Sequence, residues 1–123
     1  MIPLDNTRQN AQYGVMRHVA PLTEPVFLIL VSLARSPGHG YALLKDIESL
    51  SDGRVRLSTG TLYGALRRLL DDQWIERFQT GDSSRDKQTY RLTALGRRFL
   101  NLELDRMKQL TRIASAHLRP KEA

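Results

Sequence analysis

The side chains best suited to chemistry in this 123-residue chain are gathered in Ser58–Gln73, where Arg67 and Arg68 join Tyr63 and the hydroxyls of Ser58, Thr59 and Thr61. Read as a helix, the stretch has two unlike faces. Leu62, Ala65, Leu66, Leu69 and Gln73 recur at helical spacing and form a mostly apolar stripe. Gly60, Tyr63, Gly64, Arg67, Arg68 and Asp71 fall on the opposite side. The two glycines weaken the helix by roughly 1 kcal/mol each relative to alanine. They also leave the outer face low, so that another backbone can come close. Ser58 caps the start, and the N–H groups behind it can receive an anion such as a phosphate. A helix built this way suits a DNA groove. The plainer alternative is a surface helix whose arginines are simply solvated.

Other chemistry lacks its residues. His18, His39 and His117 share no metal-ligand spacing, and there is no cysteine to hold a thiolate metal or a disulfide. Asp71 and Asp72 are adjacent, so on a helix they point in different directions and do not pair as acid and base. No phosphate-cradling glycine loop and no nucleophile elbow occurs. No enzymatic constellation and no cofactor site is therefore expected. Net charge is +6, with a sequence pI near 10.2, a balance that favours polyanion partners. Between Arg54 and Arg98 there are ten basic residues against five acidic ones, so this window holds +5 of the total.

The elements that must position these residues follow from local signals. Met1–Pro21 is polar, a flexible arm or a short helix around Gln9–His18; the arm is free, or else packs on a partner subunit or touches DNA. Thr23 caps a helix whose first turn holds Glu24 and Pro25 and whose body, Val26–Arg35, is apolar enough to be buried on most sides. SerProGlyHisGly at 36–40 stops it, with His39 a turn and capping residue rather than a ligand. Tyr41–Leu50 is a second helix with Leu43, Leu44, Ile47 and Leu50 as its core stripe. A loose turn, Ser51–Leu57, leads to the Ser58 helix, an arrangement of helix-turn-helix type. Trp74–Thr80 and Lys87–Leu92 are rich in strand formers and flank a polar turn, Gly81–Asp86. They form a hairpin, the wing, which can reach phosphates with Arg77, Arg85 and Lys87 or simply stand in solvent. Thr93 caps a last helix, Ala94 to about Leu118, which at ~1.5 Å per residue is about 37 Å long. Leu95, Phe99 and Leu102 can dock on the domain. Leu100, Leu104, Met107, Leu110, Ala114 and Leu118 repeat at spacings of three and four and call for a second helix, most simply that of another copy. The longest apolar run, Val26–Ala34, is too short to span a bilayer, and Met1–Ala20 has no signal-peptide character, so a cytoplasmic protein without membrane contact is expected.

Three blocks carry a family resemblance. HisGlyTyr at 39–41, GlyArgValArgLeuSerThrGlyThrLeuTyrGlyAlaLeuArgArgLeu at 53–69 and TyrArgLeuThrAlaLeuGlyArgArg at 90–98 resemble, in order and spacing, the PadR family of bacterial transcriptional regulators, as does LeuThrGluPro at 22–25. The likeness covers about Leu22–Leu118. It implies a mainly α fold with a small β-hairpin: a winged helix-turn-helix domain at 22–93 after an arm at 1–21, then a dimerisation helix and tail at 94–123. It implies a homodimer that represses nearby genes from a palindromic double-stranded DNA operator and is relieved by a small-molecule effector or another signal. Two positions depart from the family pattern: Trp74, where a smaller aliphatic residue is usual, and Gln73, where Gly is common.

Carried onto this chain, the recognition helix is Thr59–Asp72, with Ser58, Thr59, Gly60, Thr61, Tyr63, Arg67 and Arg68 on or beside the contact surface. Tyr63 touches the DNA or else packs against the preceding helix, and Tyr41 is a phosphate contact with the same alternative. Trp74, Phe78 and Phe99 are candidate walls for an effector. The rival reading of the whole is a winged-helix module for protein interaction that binds no DNA. A basic outer face on Ser58–Gln73 argues against it, since a protein-binding version would more often be apolar there.

Overall fold

In the computed structural model, which describes residues 21–78 and 88–120, each described helix begins at a side chain that accepts from its own first turn. Helix α1, Glu24–Arg35, starts where the Val26 N–H donates to Thr23 Oγ1 at 3.4 Å. Strand β1 is Gly38–His39, and helix α2, Gly40–Leu50, begins where the Ala42 N–H donates to His39 Nδ1 at 3.4 Å. Helix α3, Thr59–Asp71, is capped by Ser58, whose Oγ accepts from the Thr61 N–H at 3.1 Å. Strands β2, Ile75–Phe78, and β3, Thr89–Leu92, precede helix α4, Ala94–Leu118, where the Gly96 N–H donates to Thr93 Oγ1 at 3.0 Å. These are the caps expected of Thr, His and Ser side chains with extended backbone.

The helix ends are equally local. After α2 the Gly53 N–H donates to the Glu48 carbonyl at 2.7 Å and the Asp52 N–H to Ser49 at 3.2 Å. After α3 the Trp74 N–H donates to Leu69 and the Gln73 N–H to Leu70, both at 3.0 Å. Both are paired terminal closures that need a left-handed residue just past the helix. Asp52 at φ 56° and Gln73 at φ 65° occupy those positions. Glycine is usual in such a place because it has no Cβ to crowd the carbonyl, which accounts physically for Gln73 as a departure. Gln73 is accordingly exposed, past the end of the helix, and does not extend its apolar stripe.

The sheet has three strands in the order β1-β3-β2, all antiparallel, so the expected hairpin gains an edge. Ile75 pairs with Leu92 and Phe78 with Thr89 in the hairpin, while Gly38 pairs with Tyr90 and His39 with Thr89 on the other edge. The turn residues after α1 thus supply a short strand as well as a stop.

The chain divides into two compact units, one of them Leu22–Leu100; the other contains Asn101 onward. In the first, Ile29, Leu30 and Leu33 of α1, Leu43 and Ile47 of α2, and Leu62, Leu66 and Leu69 of α3 are buried with Ile75, Trp74, Tyr90 and Phe99. Burial of this apolar surface is the main driving force for the fold. Trp74 and Phe99 stack with ring centroids 5.0 Å apart, so the unusual tryptophan fills core volume against the start of α4. That approach is close: a Cβ at Gly96 would lie 2.0 Å from the Trp74 carbonyl oxygen. The same oxygen accepts from the Thr93 N–H at 3.0 Å, and the Thr93 hydroxyl donates to the Gln73 carbonyl at 2.7 Å. The first turns of α4 are thereby tied to the end of α3.

Some expectations of burial do not hold. Only one face of α1 is buried: Ile29, Leu30, Ser32 and Leu33 lie in the core, while Val26, Phe27, Leu28 and Val31 are half-buried. Leu50 is 43% exposed, and Leu44 is half-buried. Val55 and Ser51 are buried instead, the Val55 N–H donating to Ser51 Oγ at 2.9 Å while that hydroxyl donates to the Ile47 carbonyl at 2.9 Å. Leu100 is 9% exposed within a single chain.

Candidate nucleic-acid interface

The outward face of α3 combines donors with open space. Thr59, Gly60, Thr61, Tyr63, Arg67 and Arg68 are exposed, while Leu62, Ala65, Leu66 and Leu69 turn inward. A Cβ built at Gly60 or Gly64 meets nothing within 4 Å. The fold itself therefore has no need of glycine at either place, although each weakens the helix. Ser58 Oγ is occupied by its cap and donates onward to Thr61 Oγ1 at 2.9 Å, so both hydroxyls are engaged in opening the helix. What remains for an anion there is the backbone N–H groups of the first turn and the Thr59 hydroxyl.

The arginines of the basic window divide into two groups. Arg54 forms a two-pronged pair with Glu24, one contact at 2.9 Å between Nη1 and Oε1 and the other between Nη2 and Oε2. Arg54 and its hydrogen bonds hold the Glu24 carboxyl below its ordinary value, even though the pair is in solvent. Arg56 lies 3.2 Å from Glu48, and Arg91 lies 2.7 Å from Glu76 and covers the Phe78 ring at 4.6 Å. Arg97 donates to the Ala34 carbonyl at 3.4 Å, closing the end of α1. Arg77 Nε donates to Gln88 Oε1 at 2.9 Å across the hairpin. Among the described residues of that window, Arg67, Arg68 and Arg98 form no ion pair or side-chain hydrogen bond. Arg85 and Lys87 lie outside the described residues.

Tyr41 and Tyr63 were both singled out in the sequence; the partner that was not is Lys45. Lys45 places its ammonium 5.3 Å from the centroid of the Tyr41 ring, and Tyr41 is 64% exposed. The i, i+4 spacing on α2 was the available signal. Tyr63, in contrast to the arginines beside it, bends back, its hydroxyl lying where a Cβ of Gly40 would be. The aromatic residues weighed as effector walls do not make one: Trp74 and Phe99 are 3% and 2% exposed and fill each other's space, and Phe78 lies under Arg91. An open groove of about 700 Å³ lies instead between the end of α3, β2 and the start of α4, lined by Leu70, Asp71, Ile75, Glu76, Arg77 and Leu95 among others. No metal-ligand cluster and no helix long and apolar enough to cross a membrane occurs among the described residues.

Residues 29–102, well over half of the chain, match the model of the transcriptional regulator PadR-like family. The chain belongs to the PadR family. Its fold is that of PadR-family structures: one from Eggerthella lenta is 26% identical, with TM-score 0.62, covering 98% of this chain and 100% of that one. A PadR family transcription regulator from Clostridium difficile is 22% identical, with TM-score 0.65 and coverage of 78% and 99%. A protein of 37.1 kDa in transposon TN4556 of Streptomyces fradiae is 38% identical over 84 residues, and the chain spans 23% of its length. PadR proteins are transcriptional regulators rather than enzymes, which agrees with the lack of an enzymatic constellation in this PadR sequence. Two of the three sequence blocks have structural counterparts at close approaches, and the third is α3 with its cap. HisGlyTyr is the end of β1, the cap of α2 and a seat for Tyr63; ThrAlaLeuGly is the cap and close approach of α4.

Proposed function

We propose that this PadR-family chain is a homodimeric repressor that reads a palindromic operator near the genes it controls. Each subunit lays α3 in a major groove, so that the two helices sit about one DNA turn, ~34 Å, apart. The observation that carries this reading is the outer face of α3: uncommitted Arg67 and Arg68 beside two glycines that the fold does not need. Arg67 reaches a guanine edge or a phosphate, Arg68 a phosphate, and the first-turn N–H groups with Thr59 a further phosphate. Tyr41 with Lys45 contacts the backbone beside the groove.

The helix α4 supports the dimer. Leu104, Met107, Leu110, Ile113 and Leu118 are 39% to 80% exposed, a row that a second helix would cover. An effector fits the groove at the end of α3, because it touches the reading helix, the wing and α4 at once. Such a ligand relieves repression only if it prefers one spacing of the two heads over the other.

A gel shift against DNA upstream of the protein's own gene tests the reading. Binding is expected to weaken steeply between 50 mM and 200 mM salt, since phosphate neutralisation releases counterions. Arg67→Ala should weaken binding, by roughly 1–3 kcal/mol if the contact is to a base. Absence of any shift, or binding indifferent to salt, would leave the protein-interaction module as the better account.

A further inference from the structure

We infer that Tyr63 is a positioning residue, whose phenol seated on Gly40 sets the tilt of α3 against the first turn of α2. The inference rests on the DNA-reading function proposed above, and it removes Tyr63 from the set of direct DNA contacts.

The geometry is specific. A Cβ on Gly40 would lie 2.1 Å from the Tyr63 hydroxyl oxygen, 2.6 Å from Cζ and 3.3 Å from Cε1. Ring and hydroxyl thus occupy the volume that any other residue at position 40 would need. Gly40 is the first residue of α2, directly after the cap His39 and the strand β1, and it is buried. Tyr63 is only 40% exposed, although its place on α3 is on the outer side. The hydroxyl end of the ring is engaged by the first turn of α2 while the rest of the residue stays exposed.

The residues just before Gly40 are paired into the sheet. Tyr90 is 4% exposed, pairs with Gly38 on one side and with Arg77 on the other, and so shares a sheet face with Arg77. Burial pushes the Tyr90 phenol up, the nearby Tyr63 adds to this, and the Arg77 guanidinium works against it. Arg77 is held by Gln88 across the hairpin. The strand before Gly40 is thus anchored to β3, so the backbone that seats Tyr63 is fixed from the sheet side.

A double-mutant cycle with Gly40→Ala and Tyr63→Leu in the full chain tests the inference. Thermal unfolding and operator binding are measured at one protein and one salt concentration. Gly40→Ala alone should lower the unfolding midpoint and weaken operator binding roughly tenfold, as overpacking does. Adding Tyr63→Leu should restore part of both, because it empties the space the new methyl needs. Tyr63→Phe keeps the ring, so with Gly40→Ala it should rescue less than leucine. In the wild-type background, Tyr63→Phe should move the spectroscopic titration of Tyr90, whose neighbour it changes.

If Tyr63 is instead a phosphate contact, Gly40→Ala and Tyr63→Leu will be additive or worse together, and the inference fails. If the chain binds no DNA, the wild type shows no shift, yet rescue of the unfolding midpoint still reads the seat on Gly40. Absence of rescue in unfolding overturns the inference whatever the DNA result.

Discussion

Gly64→Ala separates what the fold needs from what its partner needs. Gly64 lies in the middle of α3, and a Cβ built there meets nothing within 4 Å. Glycine inside a helix is worse than alanine by ~1 kcal/mol, because the unfolded chain gives up more freedom. The new methyl neither clashes nor strains the backbone, so that gain should appear nearly whole. In a body the size of Leu22–Leu100, ~1 kcal/mol raises the unfolding midpoint by about 4–8 °C. DNA affinity should move the other way. A methyl group set between a helix backbone and an approaching duplex is an overpacked contact, worth ~1–3 kcal/mol, or about 5- to 150-fold in Kd. Circular dichroism melts at fixed protein concentration give the first number, and fluorescence anisotropy with operator DNA at fixed salt the second. A more stable variant with unchanged affinity would refute the claim that a partner's backbone approaches this face. A less stable variant would refute the claim that the fold leaves the site open.

Gln73→Gly should stabilise the chain by roughly 1 kcal/mol, since it relieves a left-handed residue whose side chain makes no hydrogen bond among the described residues; urea unfolding measures it, with Gln73→Ala as the neutral control. Gly96→Ala should cost ~3 kcal/mol or more, because the backbone oxygen of Trp74 cannot move aside as a side-chain end can, and the same unfolding curve reads the loss. Glu24→Gln tests the pair with Arg54. The folded carboxyl titrates below its ordinary value, so its contribution is present above that value and is lost as pH falls through the folded one; the difference in melting temperature between the two proteins should shrink as pH drops through and below about 4.3. Leu110→Asp should leave the reading domain folded while converting a dimer to monomer in sedimentation, because Leu110 is half exposed in one chain.

The cost of overlooking the third dimension is clearest for the basic residues. Counting along the chain treats Arg54, Arg56, Arg91 and Arg97 as equals of Arg67. Folding assigns the first three to Glu24, Glu48 and Glu76 and the fourth to the Ala34 carbonyl. Their partners lie 30, 8 and 15 positions away along the chain and, for Arg97, 63. The distal row on α4 shows the converse: Leu104, Met107 and Leu110 were legible from spacing alone, because one helix needs no other element to define its faces.

Helix positions, their caps and the hairpin were settled by neighbouring residues: Thr23, Ser58 and Thr93 accept from N–H groups three positions on, within reach of any sequence reading. Tertiary structure alone decided that Gly38–His39 becomes a strand on β3, that Trp74 takes Phe99 as its neighbour, and that Gly40 and Gly96 are small for a tyrosine and a carbonyl from elsewhere in the chain. The physical reason is range. A cap or a periodic stripe is made by residues within a turn of one another, whereas pairing, close approach and the sharing of charges depend on which distant segments the collapsed core brings together.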